Sequence, residues 1–90
     1  MRAGNKLISA AGFREPLSVT PLLASKLFIQ AIATNTTLVF VGDIAVMAAT
    51  VSPAGIGLDA SDLLILENVD LSQVYIDART ANEGISWLAI

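Results

Sequence analysis

The sequence predicts an all-β fold: a compact antiparallel β-sandwich, jelly-roll-like, of about six to eight short strands. Three observations lead there. Turn-forming clusters recur about every 8–15 residues, at Thr34-Asn35-Thr36, Gly42-Asp43, Ser52-Pro53-Ala54-Gly55, Asn68-Val69-Asp70 and Asn82-Glu83-Gly84. Between them lie runs of β-branched and aromatic residues, whose side chains fit a pleated sheet. The composition supplies a core, since 54% of the 90 residues are apolar and only 14% are charged. A chain of this length holds one core and no more, and this composition is far from that of a disordered chain.

Residues 1–15 are expected to form an extended N-terminal arm, and 16–90 the sandwich domain. The start is basic, with Arg2 and Lys6, but its apolar stretch Leu7–Phe13 is short and contains Ser9 and Gly12. Arg14 and Glu15 follow at once, so no signal peptide is expected.

Segment 21–33 admits two readings. Thr20-Pro21 is a helix-start signal, and Leu23, Ala24, Leu27, Phe28, Ala31 and Ile32 make a helical stripe. As a strand, Leu27, Ile29, Ala31 and Ala33 share one face, with Phe28, Gln30 and Ile32 on the other. A strand over 26–33 is preferred, because a short turn and a strong strand follow, in the manner of a hairpin.

Further strands are expected at Thr37–Val41, Ile44–Val51, Leu63–Glu67, Val74–Arg79 and Ile85–Ile90. In the fourth of these, Val74, Ile76 and Ala78 lie on one face. Tyr75, Asp77 and Arg79 lie on the other, which is expected to be wet. Leu38–Val41 and Leu63–Leu66 are apolar on both faces and ask for cover on both. A sandwich of this size has one interior, so the surplus points to subunit contacts, a docking site, or the arm as a cover.

The absence of Cys and His excludes disulfide scaffolds, zinc fingers and Cys- or His-based catalysis. No metal site, catalytic residue or cofactor site is expected. Asp59, Asp62, Glu67 and Asp70 fail as a calcium loop, because Leu63–Leu66 fill the positions that need oxygen ligands. Gly55-Ile56-Gly57 reads as a turn rather than a phosphate cradle. Asn35-Thr36-Thr37 fits a glycosylation sequon, but its place in a turn suffices. A Ser–Lys pair using Lys6 or Lys26 is left open.

Charge is uneven along the chain. Residues 1–42 hold Arg2, Lys6, Arg14 and Lys26 against Glu15, a net +3, whereas 43–90 hold seven carboxylates against Arg79, a net −6. One reading is a basic N-terminal segment docking on an acidic neighbour, another copy included; the other is chance. The candidate partner interface is Arg2, Lys6, Phe13 and Arg14, with charge from Lys6 and Arg14 and an apolar anchor in Phe13. The overall charge of −3 argues against nucleic acid as a partner. The uncharged runs 27–42 and 44–58 fall short of the roughly 18–20 residues that span a bilayer, so no membrane segment is expected. Trp87, the only Trp, reads as core packing or as a partner hot spot.

A family pattern runs from Ile29 onward. Ile29-Gln30-Ala31 precedes Asn35-Thr36-Thr37-Leu38-Val39-Phe40-Val41-Gly42-Asp43. Then come Leu58-Asp59-Ala60-Ser61-Asp62, Asp70-Leu71-Ser72-Gln73-Val74-Tyr75-Ile76-Asp77-Ala78 and Gly84-Ile85-Ser86-Trp87-Leu88. Over about residues 27–90 the chain resembles small structural proteins of tailed-bacteriophage virions, the head decoration (cement) type among them. Thr37 replaces a Gly of that pattern, and Ala60-Ser61-Asp62 replaces Pro-Gly-Glu. The resemblance implies a β-sandwich without catalysis, made in the host cytoplasm and placed on the capsid surface of the virion. The partners it implies are the major capsid protein and further copies of the chain, as a trimer. A neck, tail or fibre component, or a small non-viral binding module, remains the alternative.

Overall fold

The structure, a computed structural model, describes residues 1–49 and 53–90. Among the described residues eight strands are formed: β1 (Arg2–Leu7), β2 (Glu15–Pro16), β3 (Leu23–Ala31), β4 (Val39–Gly42), β5 (Ile56–Leu58), β6 (Leu63–Asp70), β7 (Tyr75–Ala78) and β8 (Gly84–Ala89). They make two antiparallel four-stranded sheets, ordered β1-β8-β3-β6 and β2-β7-β4-β5. The all-β sandwich expected from the sequence is what the chain forms. Its pairing is nested: β4 with β5, β3 with β6, β2 with β7 and β1 with β8. The whole chain is thus one long hairpin, folded over so that alternate arms fall in opposite sheets.

The inner faces meet in one core. Ile8, Leu27, Ile29, Val39, Leu71, Ile76 and Ile85 are fully buried there. Each inward residue of β7 and β8 is two positions from the next, as a pleated strand requires. Trp87 is half-buried and packs against this core. It lies over Gly4, where an added Cβ would come 2.8 Å from the ring.

Segment 21–33 is a strand, and its helix-like stripe has a physical cause. Ser25 and Lys26 both donate their N–H to the Ile90 carbonyl, at 2.9 and 3.4 Å. Two residues facing one is a β-bulge, which reverses the inside–outside alternation. Ala24 and Leu27 are therefore both buried despite a spacing of three. The strand runs over Leu23–Ala31 rather than 26–33.

The expected hairpin between this strand and β4 is not formed. β3 lies in one sheet and β4 in the other, so residues 32–38 arch across the end of the sandwich. Glu83 holds that arch. Its carboxylate accepts the N–H and hydroxyl of Thr36 (both 2.6 Å) and of Thr37 (3.1 and 2.8 Å). The Asn35 amide donates to the Gly84 carbonyl at 2.8 Å.

The strand expected over Ile44–Val51 is also absent over its described part, 44–49; residues 50 and 51 lie outside the described residues. Asp43 stops it. The Asp43 carboxylate accepts the Ala45 N–H at 2.8 Å and its carbonyl accepts the Val46 N–H at 3.0 Å. Such side-chain-to-backbone bonds compete with a ladder and make a turn. Beyond it, an isolated bridge joins Met47 to Ala54. Gly55, at φ 107°, follows that bridge, and a Cβ there would come 2.7 Å from the Val41 carbonyl oxygen.

Residues 1–15, expected as an arm, are largely built into the fold. Arg2–Leu7 pair along β8, from Arg2 opposite Ala89 to Leu7 opposite Gly84. Ile8 is fully buried in the core. The free edge of β8 offers hydrogen bonds that the basic segment satisfies, and Ile8 anchors its end.

Candidate partner interface

The four expected interface residues fall in three places. Arg2 is exposed at the far end of β1, opposite Ala89. Lys6 is committed elsewhere: its ammonium lies 3.1 Å from the Glu15 carboxylate and ties β1 to β2, one sheet to the other. That bond to Lys6, with the Ser9 N–H next, holds the Glu15 carboxyl below its usual range. Phe13 and Arg14 stand together beside Ile44 and Tyr75, around an open hollow of about 470 Å³.

Local chemistry presents this patch. A turn in which the Phe13 N–H reaches the Ala10 carbonyl (3.2 Å), and the Gly12 N–H reaches Ala78 (3.1 Å), pins the loop to β7. Gly12 supplies the left-handed φ of 80° that the turn needs. Phe13 is left 71% exposed. The Asp43 turn sets Ile44 beside it, 63% exposed. Ile44 was unreadable as a surface residue while 44–51 looked like a strand.

The outer face of the β2-β7-β4-β5 sheet is covered by its own chain. Phe40, on that face of β4, packs with Val46, Ala48, Leu38 and Tyr75. Asp77 and Arg79 fasten the cover. The Asp77 carboxylate accepts the Ala48 N–H at 2.9 Å. Arg79 donates to the Ala48 and Ala49 carbonyls at 2.9 and 3.1 Å. Its guanidinium also sits 5.1 Å above the Phe40 ring, a cation–π arrangement. The face of β7 expected to be wet is thus closed over Asp77, only 2% exposed, while Tyr75 and Arg79 stay half-buried.

The outer face of the β1-β8-β3-β6 sheet has no such cover among the described residues. Ala3, Leu88, Phe28 and Ile65 lie in register across its four strands. Ile65 is 50% exposed, and its neighbour Leu63 57%. The two-faced apolar run at Leu63–Leu66 gave the signal for this surface. Leu64 and Leu66 pack inward and the other two are bare.

Among the described residues, no group of three His, Cys, Asp or Glu could hold a metal ion. No helix is long and apolar enough to cross a membrane. The buried carboxylates, Asp77 and Glu83, have their oxygens occupied by backbone and hydroxyl donors within the fold. Among the described residues, what the surface offers is contact area: an apolar patch with one guanidinium, and a sheet face with one apolar cross-strand row and two open edges. No protein-family model matches the chain, and neither curated proteins nor solved structures give a match.

Proposed function

We propose that the chain is a non-enzymatic structural protein of a bacteriophage virion, a decoration protein that binds the assembled capsid and strengthens contacts between its capsomers. The single observation carrying this reading is the uncovered outer face of β1-β8-β3-β6, on which Leu63 and Ile65 stand half exposed. A small protein that keeps such a face uncovered is built to be bound. The nested pairing of eight strands supports a jelly roll, an architecture common in viral capsid proteins and also found in lectins. Fold alone leaves the choice open; the resemblance of residues 27–90 to virion proteins favours the first.

In this reading Phe13 and Ile44 are the apolar anchors toward the major capsid protein, with Arg14 as their charged rim. Copies assemble as a trimer on the capsid surface. Binding only the assembled shell then stabilises that shell by mass action. The test is the copy number in purified particles, by quantitative mass spectrometry against the major capsid protein. A simple fraction of that protein's copy number is expected. About a dozen copies or fewer would place the protein at the neck or tail instead. Absence from particles would overturn the virion reading.

A further inference from the structure

We infer that copies of this chain join edge to edge, β6 of one copy pairing antiparallel with β1 of the next to continue the sheet. The inference names the surface by which copies of the proposed virion protein meet, and rests on that reading only for its setting.

The four sheet edges are unequal. β2 is two residues long and contains Pro16; β5 is three residues long. Short strands and proline blunt an edge. β6 is eight residues long, and its first four, Leu63–Leu66, carry no charge, proline or glycine. β1 has six residues. These two are the open edges of one sheet, on opposite sides of it.

Three geometric conditions for joining them are met together. Direction is the first: β1, β8, β3 and β6 alternate. A second copy placed alongside in the same orientation therefore sets its β1 antiparallel to β6. Hydrogen-bond phase is the second. The Asp62 carbonyl accepts from Ala31, so it faces β3; the Ile8 N–H reaches Glu83, so it faces β8. By alternation, Leu63, Ile65 and Glu67 on β6, and Ala3, Asn5 and Leu7 on β1, turn their N–H and C=O groups outward. The third is the face. These same residues lie on the outer face, since Ala3 and Ile65 share one cross-strand row and Asn5 and Leu63 share the next. Pairing odd residues with odd residues thus joins backbone to backbone and outer face to outer face at once.

Charge selects β1 over a second β6 as the partner. β6 and its approach carry Asp62, Glu67 and Asp70, whereas β1 carries Arg2 and no acid, its Lys6 being paired with Glu15. Two β6 edges would bring like charges together; β6 and β1 bring opposite ones. The contact is head-to-tail, so it closes into a ring or runs on as a chain.

The test is the mass of the full chain by sedimentation equilibrium over rising concentration. Asn5→Pro and Ile65→Pro each remove one outward N–H, leave the bonds to β8 or β3, and so block one edge. The unaltered chain is expected to grow in mass with concentration, less so at high salt. Each variant alone should remain a monomer, and an equimolar mixture of the two should stop at a one-to-one dimer. If either proline variant loses its sheet circular dichroism, Asn5→Asp or Ile65→Lys takes its place. A chain that stays monomeric at every concentration overturns the inference. So does an Asn5→Pro variant that dimerises by itself, which would mean that β6 pairs with β6. Self-association by a protein absent from particles would sink the virion reading and spare this pairing; a monomer found at capsid stoichiometry would do the reverse.

Discussion

The two sheets solve the same problem in opposite ways. Each carries apolar side chains on its outer face. In β2-β7-β4-β5 the chain covers that face itself: residues 43–49 fold back over Phe40 and are held by Asp77 and Arg79. In β1-β8-β3-β6 the row Ala3, Leu88, Phe28 and Ile65 has no such cover among the described residues, its two ends exposed and Leu88 and Phe28 half-buried, and the open edges β1 and β6 flank it. One sheet is finished within the monomer. The other keeps its outer face uncovered among the described residues. Buried carboxylates mark the finished parts, because a buried charge is tolerated only when its hydrogen bonds are satisfied.

The comparison can be broken most severely at Gly84. A Cβ there would lie 1.9 Å from the Lys6 carbonyl oxygen, inside the β1–β8 contact. Gly84→Ala is expected to cost more than about 3 kcal/mol in chemical denaturation, with β1 displaced from the sheet. An equivalent change on the finished sheet is smaller. Asp77→Ala leaves the Ala48 N–H without its acceptor, and should cost about 2 kcal/mol and raise binding of an apolar dye as Phe40 is uncovered.

Glu83 sharpens the comparison through pH. Burial alone would raise its carboxyl; the donors of Thr36 and Thr37 outweigh that and lower it from an ordinary 4.5 to about 2. In acid the unfolded chain therefore binds a proton that the folded chain refuses. Its contribution is complete above pH 4.5 and is lost as pH falls toward about 2. Thermal melts of Glu83→Gln should lose stability at neutral pH and show a flatter dependence across that window. The smallest effect is expected at Ile65. Ile65→Lys lies on a half-exposed outer face and should change stability by less than about 0.5 kcal/mol, yet abolish the growth of mass with concentration.

Much of the strand pattern was legible because it is local. Val74, Ile76 and Ala78 alternate inward as their spacing indicates, and β8 falls one residue from its expected start. The failures share one cause, which is that the deciding partner is distant in the chain. The bulge at Ser25–Lys26 depends on Ile90. The dry setting of Asp77 depends on Ala48, and the arch over Thr36 depends on Glu83. Arg2 and Lys6 looked like a free basic arm because nothing near them shows that β8 lacks a neighbour. Of the residues around the hollow, the sequence named Phe13 and Arg14, and both are exposed. Ile44 joins them only once the Asp43 turn replaces a strand.

Residue-resolved hydrogen exchange tests the contrast between the sheets most directly, in the dilute and in the associated protein. In the dilute protein the Ala48 amide is expected to be protected already, held by Asp77, while the Ile65 and Asn5 amides exchange freely at their open edges. On association, Ile65 and Asn5 should gain protection and Ala48 should not change. Fast exchange at Ala48 in the dilute protein, or unprotected Ile65 and Asn5 amides in the associated one, would contradict the account.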